Sequence, residues 1–171
     1  MKPGFGVALV ALAASAAPAT ASTMVRLPVP VIRQAPERCG PAALAMVLQY
    51  YGADSVALRE PDRAYDPVLR GALITDLAAA ARRAGFPAAI ETPGADSLVA
   101  LLEQGVPPVL LVDHGLGPLE HGHYAVAVGW DPEKLRYLVH DGSAHERWVG
   151  RSELLKRWKS AGARALIVRR P

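Results

Sequence analysis

The 171-residue sequence has very little cysteine: Cys39 is the only one. A lone cysteine cannot close an intramolecular disulfide, so it is a buried apolar filler, an intermolecular link or a reactive thiol. Hydrophobic runs are short as well, and none reaches the length of a membrane span. No phosphate-binding loop, internal repeat or low-complexity tract is found beyond the N-terminal segment. No stripe of interleaved basic and aromatic residues exists either. Arg63, Arg70, Arg82, Arg83, Lys134, Arg147, Arg151, Lys156 and Arg157 are scattered, and the formal charge is only +3. A mildly basic surface explains this, and no nucleic-acid site is expected. No cofactor is expected. With 51% hydrophobic and 20% charged residues, the chain suits one globular domain with a real core.

The N-terminus reads as an export signal. Lys2 is its positive end, Gly6 to Ala17 its apolar run, and Pro18 the break before Ala19-Thr20-Ala21, an A-x-A cleavage pattern. Residues 1–21 are therefore expected to be a signal peptide and 22–171 the mature domain, exported to the periplasm or secreted. No cysteine lies near the cut to carry a lipid. Cleavage would remove Lys2 and no acid, leaving a charge of +3 − 1 = +2. Exported proteins use cysteines mostly in pairs, which makes a lone thiol more pointed.

The stretch Gln34 to Gly52, QAPERCGPAALAMVLQYYG, carries that thiol. Gly40 and Pro41 mark a helix start, since proline suits the first turn where its missing N–H is not needed. Ala42 to Tyr51 runs almost wholly apolar and Gly52 closes it. A helix apolar all round is a buried one. Cys39 therefore sits at the N-terminal end of a central helix, where the dipole and free N–H groups favour a thiolate.

Leu27 to Ile32 holds two prolines and reads as an extended edge segment. Ala53 to Gly71 is irregular, with a short helical piece around Val56–Glu60. A second helix is expected over Ala72 to Ala84, and a third, capped by Asp96 or Ser97, through Glu103. Ser152 caps a last helix, Glu153 to Trp158. Strands are expected at Ala88–Glu91, Pro107–Val112, His123–Trp130, Leu135–His140, Arg147–Val149 and Ala165–Val168. Helices come first and strands later, so the class is α+β, a helical half against an antiparallel sheet.

A cysteine nucleophile needs a base, a group that orients the base, and donors for the oxyanion. Among His114, His121, His123, His140 and His145, His123 opens a strand at a sheet rim, whereas His114 and His121 lie in the Gly-rich loop Asp113–Gly122. A four-residue turn, Asp131–Lys134, pairs Trp130 with Leu135 and puts His123 opposite about residue 142. Asp141 then lies within one residue of the facing position, and a bulge would bring it alongside. Gln34, five residues before Cys39, can supply a side-chain amide to the oxyanion together with the Cys39 N–H. Two other chemistries use the same residues or their neighbours. One is a zinc site from Asp113, His114, Glu120, His121, His123 and His140. The other is an amidase-like or transglutaminase-like acyl transfer on the same thiol.

The Gln34–Gly52 block, then HYAVAVGWD, then the apolar strand ending in HDG, resemble the double-glycine leader peptidases that process bacteriocins, and more closely their stand-alone exported relatives. The likeness covers residues 27–169. It implies a papain-like cysteine peptidase fold, a peptide or protein substrate, Cys39 as nucleophile, His123 as base, Asp141 as orienting acid and Gln34 as oxyanion donor. Some relatives have lost the nucleophile and only bind peptide; here it is present. Leader peptidases usually have one more residue between Gln and Cys, and are usually fused to a transporter with membrane spans and an ATPase domain, neither of which this sequence contains. The loop Asp113–Gly122 is expected to lie over the site as a lid.

Overall fold

The computed structural model describes residues 23–115 and 122–171. The expected signal segment and most of the loop Asp113–Gly122, with Glu120 and His121, lie outside the described residues.

Seven strands form one antiparallel sheet: β1 (Val25–Arg26), β2 (Ala88–Glu91), β3 (Val109–Asp113), β4 (Gly122–Asp131), β5 (Arg136–His140), β6 (Arg147–Gly150) and β7 (Ala165–Val168). Their order is β2-β7-β3-β4-β5-β6, with β1 added against β4. The helices are α1 (Cys39–Tyr50), α2 (Ile74–Arg83), α3 (Ala95–Glu103) and α4 (Arg151–Ser160). The α+β class expected from the sequence, helices packed on an antiparallel sheet, is the one observed.

Alternation along the central strands sorts side chains to two faces. Tyr124, Val126 and Val128 of β4 pack with Leu44, Val47 and Leu48 of α1 and Leu77 and Ala81 of α2. Ala125 and Ala127 face the other way, with Leu98 and Leu102 of α3 and Leu154 and Trp158 of α4. The sheet thus has a core on each side, and β4 is buried along Tyr124–Asp131. Helix α1 is buried from Gly40 to Leu48 except at Ala45, as its apolar sequence requires.

Several expectations need correction. Helix α1 starts at Cys39 itself, so the thiol belongs to the first helical residue rather than to the segment before it. The prolines leave only Val25–Arg26 in the ladder, although Leu27 N–H still donates to Val128 O at 2.7 Å. Helix α3 is preceded by Gly94 and α4 by Gly150, and neither has a side-chain cap; Asp96 instead lies 3.6 Å from Arg151. The β4–β5 register is two residues from the expected one, because Trp130 faces Tyr137 and Asp131 faces Arg136. The reason is the Asp131 carboxylate. It is buried as the last residue of β4, pairs with Arg136 at 3.0 Å and accepts the Lys134 N–H at 3.1 Å. Burial and these two bonds make Asp131 a strand end rather than a turn residue, and Leu135 takes the left-handed turn position (φ 47°) instead. A bulge is present between Ala127 and Gly129, but beyond it Val126 faces His140, so the register does not set Asp141 opposite His123 as expected.

Candidate active site

Cys39 is brought to the sheet by the packing of α1 on β4. Gly40 makes this approach close: a Cβ there would lie 3.1 Å from Tyr124, Leu77 and Ala72 side chains. His123 stands near the start of β4, beside Val112 of β3. The Cys39 thiol and the His123 imidazole act on one another.

Each group alters the other's titration. Burial pushes the Cys39 thiol up, but the His123 hydrogen bond and charge and the main chain of Tyr124 and Gly40 outweigh it. The thiol pKa lies below that of a free cysteine. Burial pushes His123 down, yet the thiol and Asp141 together lift it above an ordinary imidazole. Both shifts favour a thiolate–imidazolium pair.

Asp141 does reach His123, but not in the expected way. His123 Nε2 lies 2.8 Å from the Asp141 main-chain oxygen. A carbonyl only accepts, so Nε2 carries a proton and Nδ1 is the nitrogen left for the thiol. The Asp141 carboxylate turns away to the Ser143 N–H at 3.2 Å and to Arg147 at 3.1 Å. Its charge still acts on His123, and its own pKa is lowered because Ser143, Arg147 and His123 outweigh burial.

Gln34 is fastened to the same loop. Its N–H donates to Gly142 O at 3.1 Å, and its side-chain oxygen is buried with no hydrogen-bond partner. Gly142 has φ 81°, and a Cβ there would run into the Gln34 side chain. Only glycine suits both constraints. Gln34, Cys39 and His123 line one open cleft of about 970 Å³, whose lining also includes Leu69–Thr75, Leu111, Gly122 and Arg164.

Sequence reasoning missed Gly142, Ser143 and Arg147, which shape the loop after β5. The dipeptide Asp141-Gly142 was the available signal, since Gly after Asp marks a turn. It also passed over His114, whose ring lies 4.5 Å from that of His123, tilted by 40°. Burial and the His123 charge push His114 down. His140 is apart from this group, buried in the sheet with Nε2 3.5 Å from Glu146 Oε2. Among the described residues no three or more His, Cys, Asp or Glu side chains are grouped to hold a metal. None of the described helices is long and apolar enough to cross a membrane.

The sequence profile of the Peptidase_C39 like family matches residues 26–166. No curated protein matches the sequence. A double-glycine-motif protease from an AMS/PCAT transporter, solved with its leader peptide, is 21% identical, with 86% of this chain and 95% of that one covered and a TM-score of 0.67. The peptidase domain of Streptococcus ComA, a bifunctional ABC transporter in a quorum-sensing pathway, is 20% identical over 84% and 99%, with a TM-score of 0.66. A C39-like peptidase from Bacillus anthracis is 18% identical over 87% and 98%, with a TM-score of 0.72. Family and fold alike are those of cysteine peptidases.

Proposed function

We propose that this chain, which belongs to the Peptidase_C39 like family, hydrolyses peptide bonds with Cys39 as its nucleophile. The observation that carries the reading is the pairing of Cys39 and His123 in the lining of one open cleft, with the thiol pKa lowered and the imidazole pKa raised. That is the resting state a cysteine peptidase requires.

The Cys39 thiolate attacks the peptide carbonyl carbon. A carbon–sulfur bond forms and the carbonyl electron pair moves to oxygen. The Gln34 amide and the Cys39 N–H stabilise that oxyanion. Its collapse breaks the C–N bond, and the His123 imidazolium gives its proton to the departing amine. The neutral His123 then takes a proton from water, which attacks the thioester. The acid leaves, and the thiolate–imidazolium pair is restored. Asp141 orients His123 through its carbonyl and adds the field of its carboxylate, so the roles fall to Cys39, His123, Asp141 and Gln34.

The substrate is a peptide or an unfolded protein segment, since the cleft of about 970 Å³ that holds the thiol and the imidazole has room for an extended chain. We further propose that cleavage takes place outside the cytoplasm, on the strength of the N-terminal segment Lys2–Ala21.

A peptide library incubated with residues 22–171 tests the function. Cleavage by the wild-type chain and none by Cys39→Ala is the expected result. Equal cleavage by both, or cleavage lost to a chelator and not to a thiol alkylator, would overturn it.

A further inference from the structure

Glu37, two residues before Cys39, has a left-handed backbone with φ 64°. A non-glycine residue there persists only where its surroundings hold it. The holding groups come from the loop after α1. Glu37 Oε1 accepts from Arg70 Nε at 2.7 Å and from a second guanidinium nitrogen, and Oε2 accepts from the Tyr65 hydroxyl at 3.0 Å. The Arg70 and Tyr65 bonds together hold the Glu37 carboxyl below the usual carboxylate range. The next residue, Arg38, lies over the Tyr65 ring at 4.2 Å and reaches Asp62 at 3.2 Å.

The loop is itself closed. Asp66 and Gly71 exchange main-chain hydrogen bonds of 2.7 and 3.2 Å, and the Asp66 carboxylate accepts the Val68 and Leu69 N–H groups. The segment from Gln34 to Cys39 is therefore fixed twice. Gly142 holds it at Gln34, and the closed loop holds it at Glu37 and Arg38. These are the residues that separate the two oxyanion donors, the Gln34 side chain and the Cys39 N–H.

We propose that Glu37 is a positioning residue. Its carboxylate, gripped by Arg70 and Tyr65, locks the left-handed turn that sets the Gln34 amide against the Cys39 N–H. Glu37 and Arg70 also stand in the lining of the cleft. This assignment rests on the cysteine-peptidase reading.

An exposed ion pair by itself contributes little to stability, so the clamp is expected to show in the chemistry rather than in the fold. Oxyanion donors act in acyl transfer and not in alkylation of the thiolate. Removing one such donor outright costs about 10²–10³-fold in kcat. Misplacing it through Glu37→Ala or Arg70→Ala should lower kcat on a library peptide by about tenfold or more with KM nearly unchanged. The iodoacetamide labelling rate of Cys39 should stay within about twofold of the wild type. Glu37→Gln, which keeps an acceptor for Arg70, should recover part of the loss. Arg70 lies on an exposed loop, so its variant reports even if Glu37→Ala fails to fold.

Wild-type cleavage with kcat within about twofold in both alanine variants would overturn the inference and leave the peptidase reading standing. A parallel fall of kcat and labelling rate in Arg70→Ala would overturn it too, by assigning the clamp to the thiolate. A wild-type chain that cleaves no peptide would overturn both.

Discussion

At the scale of single residues, the interaction that decides the chemistry is the thiol–imidazole contact, and Asp141 is where its details diverge from the familiar triad. A carboxylate that holds the histidine tautomer is indispensable: replacing it by the amide costs ~10⁴-fold in the serine-protease case. Here the Asp141 carbonyl holds Nε2, and Asp141→Asn keeps that carbonyl. Only the carboxylate's charge and its bonds to Ser143 and Arg147 are altered. Asp141→Asn should therefore lower kcat/KM by only about tenfold, because the carbonyl bond to Nε2 stays and what His123 loses is the field of the carboxylate. A loss approaching 10⁴-fold in steady-state kinetics would mean that the carboxylate itself carries the orientation. Cys39, His123, Asp141 and Gln34 could be proposed from the sequence because each stands at a position with a local signature. Those signatures are a helix start, a strand start, a turn and a short offset from the thiol. The carbonyl contact was not legible, since it depends on how the loop after β5 folds back.

At the scale of elements, that fold-back turns on Gly142. Its left-handed backbone lets the chain leave β5 sharply, and its missing Cβ admits the Gln34 side chain. Gly142→Ala meets both a strained φ and a collision. It should cost about 1–3 kcal/mol in urea unfolding and lower kcat more than KM, because Gln34 is displaced. An unchanged unfolding midpoint would show that the loop relaxes freely. Element types were readable where periodicity or an unbroken apolar run was strong, as in α1, α2 and β4. What was not readable was register and capping. The β4–β5 register follows from Asp131, whose sequence context, Asp-Pro-Glu-Lys, is that of a turn. Its burial against Arg136 is a tertiary contact that no local pattern announces. Likewise the caps of α3 and α4 went to Gly94 and Gly150, although Ser and Asp stood nearby.

At the scale of the whole molecule, one sheet is sandwiched between two helical layers, and the proposed site lies where the start of α1 meets the start of β4. The thiol comes from the helical layer and the imidazole from the sheet, so the site exists only when α1 is docked on β4. Leu48 is fully buried in that interface. Leu48→Ala should cost about 2–5 kcal/mol, read as a lower unfolding midpoint, with labelling of Cys39 slowed only as far as the folded fraction falls. Loss of the fast labelling in a fully folded variant would mean that α1 shifts on the sheet. The α+β class was legible from element order. The two-sided sheet was not, because the short strands β2, β6 and β7 carry no signal of which neighbour they take. Identities of 18–21% with chains of the same fold show how much sequence this architecture tolerates once its two apolar faces are kept.

The central claim is that Cys39 and His123 share a thiolate–imidazolium pair. The direct measurement is the pH dependence of iodoacetamide labelling, followed by intact mass, for the wild type and His123→Ala. The thiolate forms as pH rises through the lowered Cys39 pKa, so the wild type should label fast at mildly acidic pH. Imidazole-assisted turnover should then decline only at higher pH, as His123 deprotonates through its raised pKa. In His123→Ala the labelling inflection should move up towards the free-thiol value of ~8.5. A wild-type profile that already inflects there, unmoved by the substitution, would contradict the account.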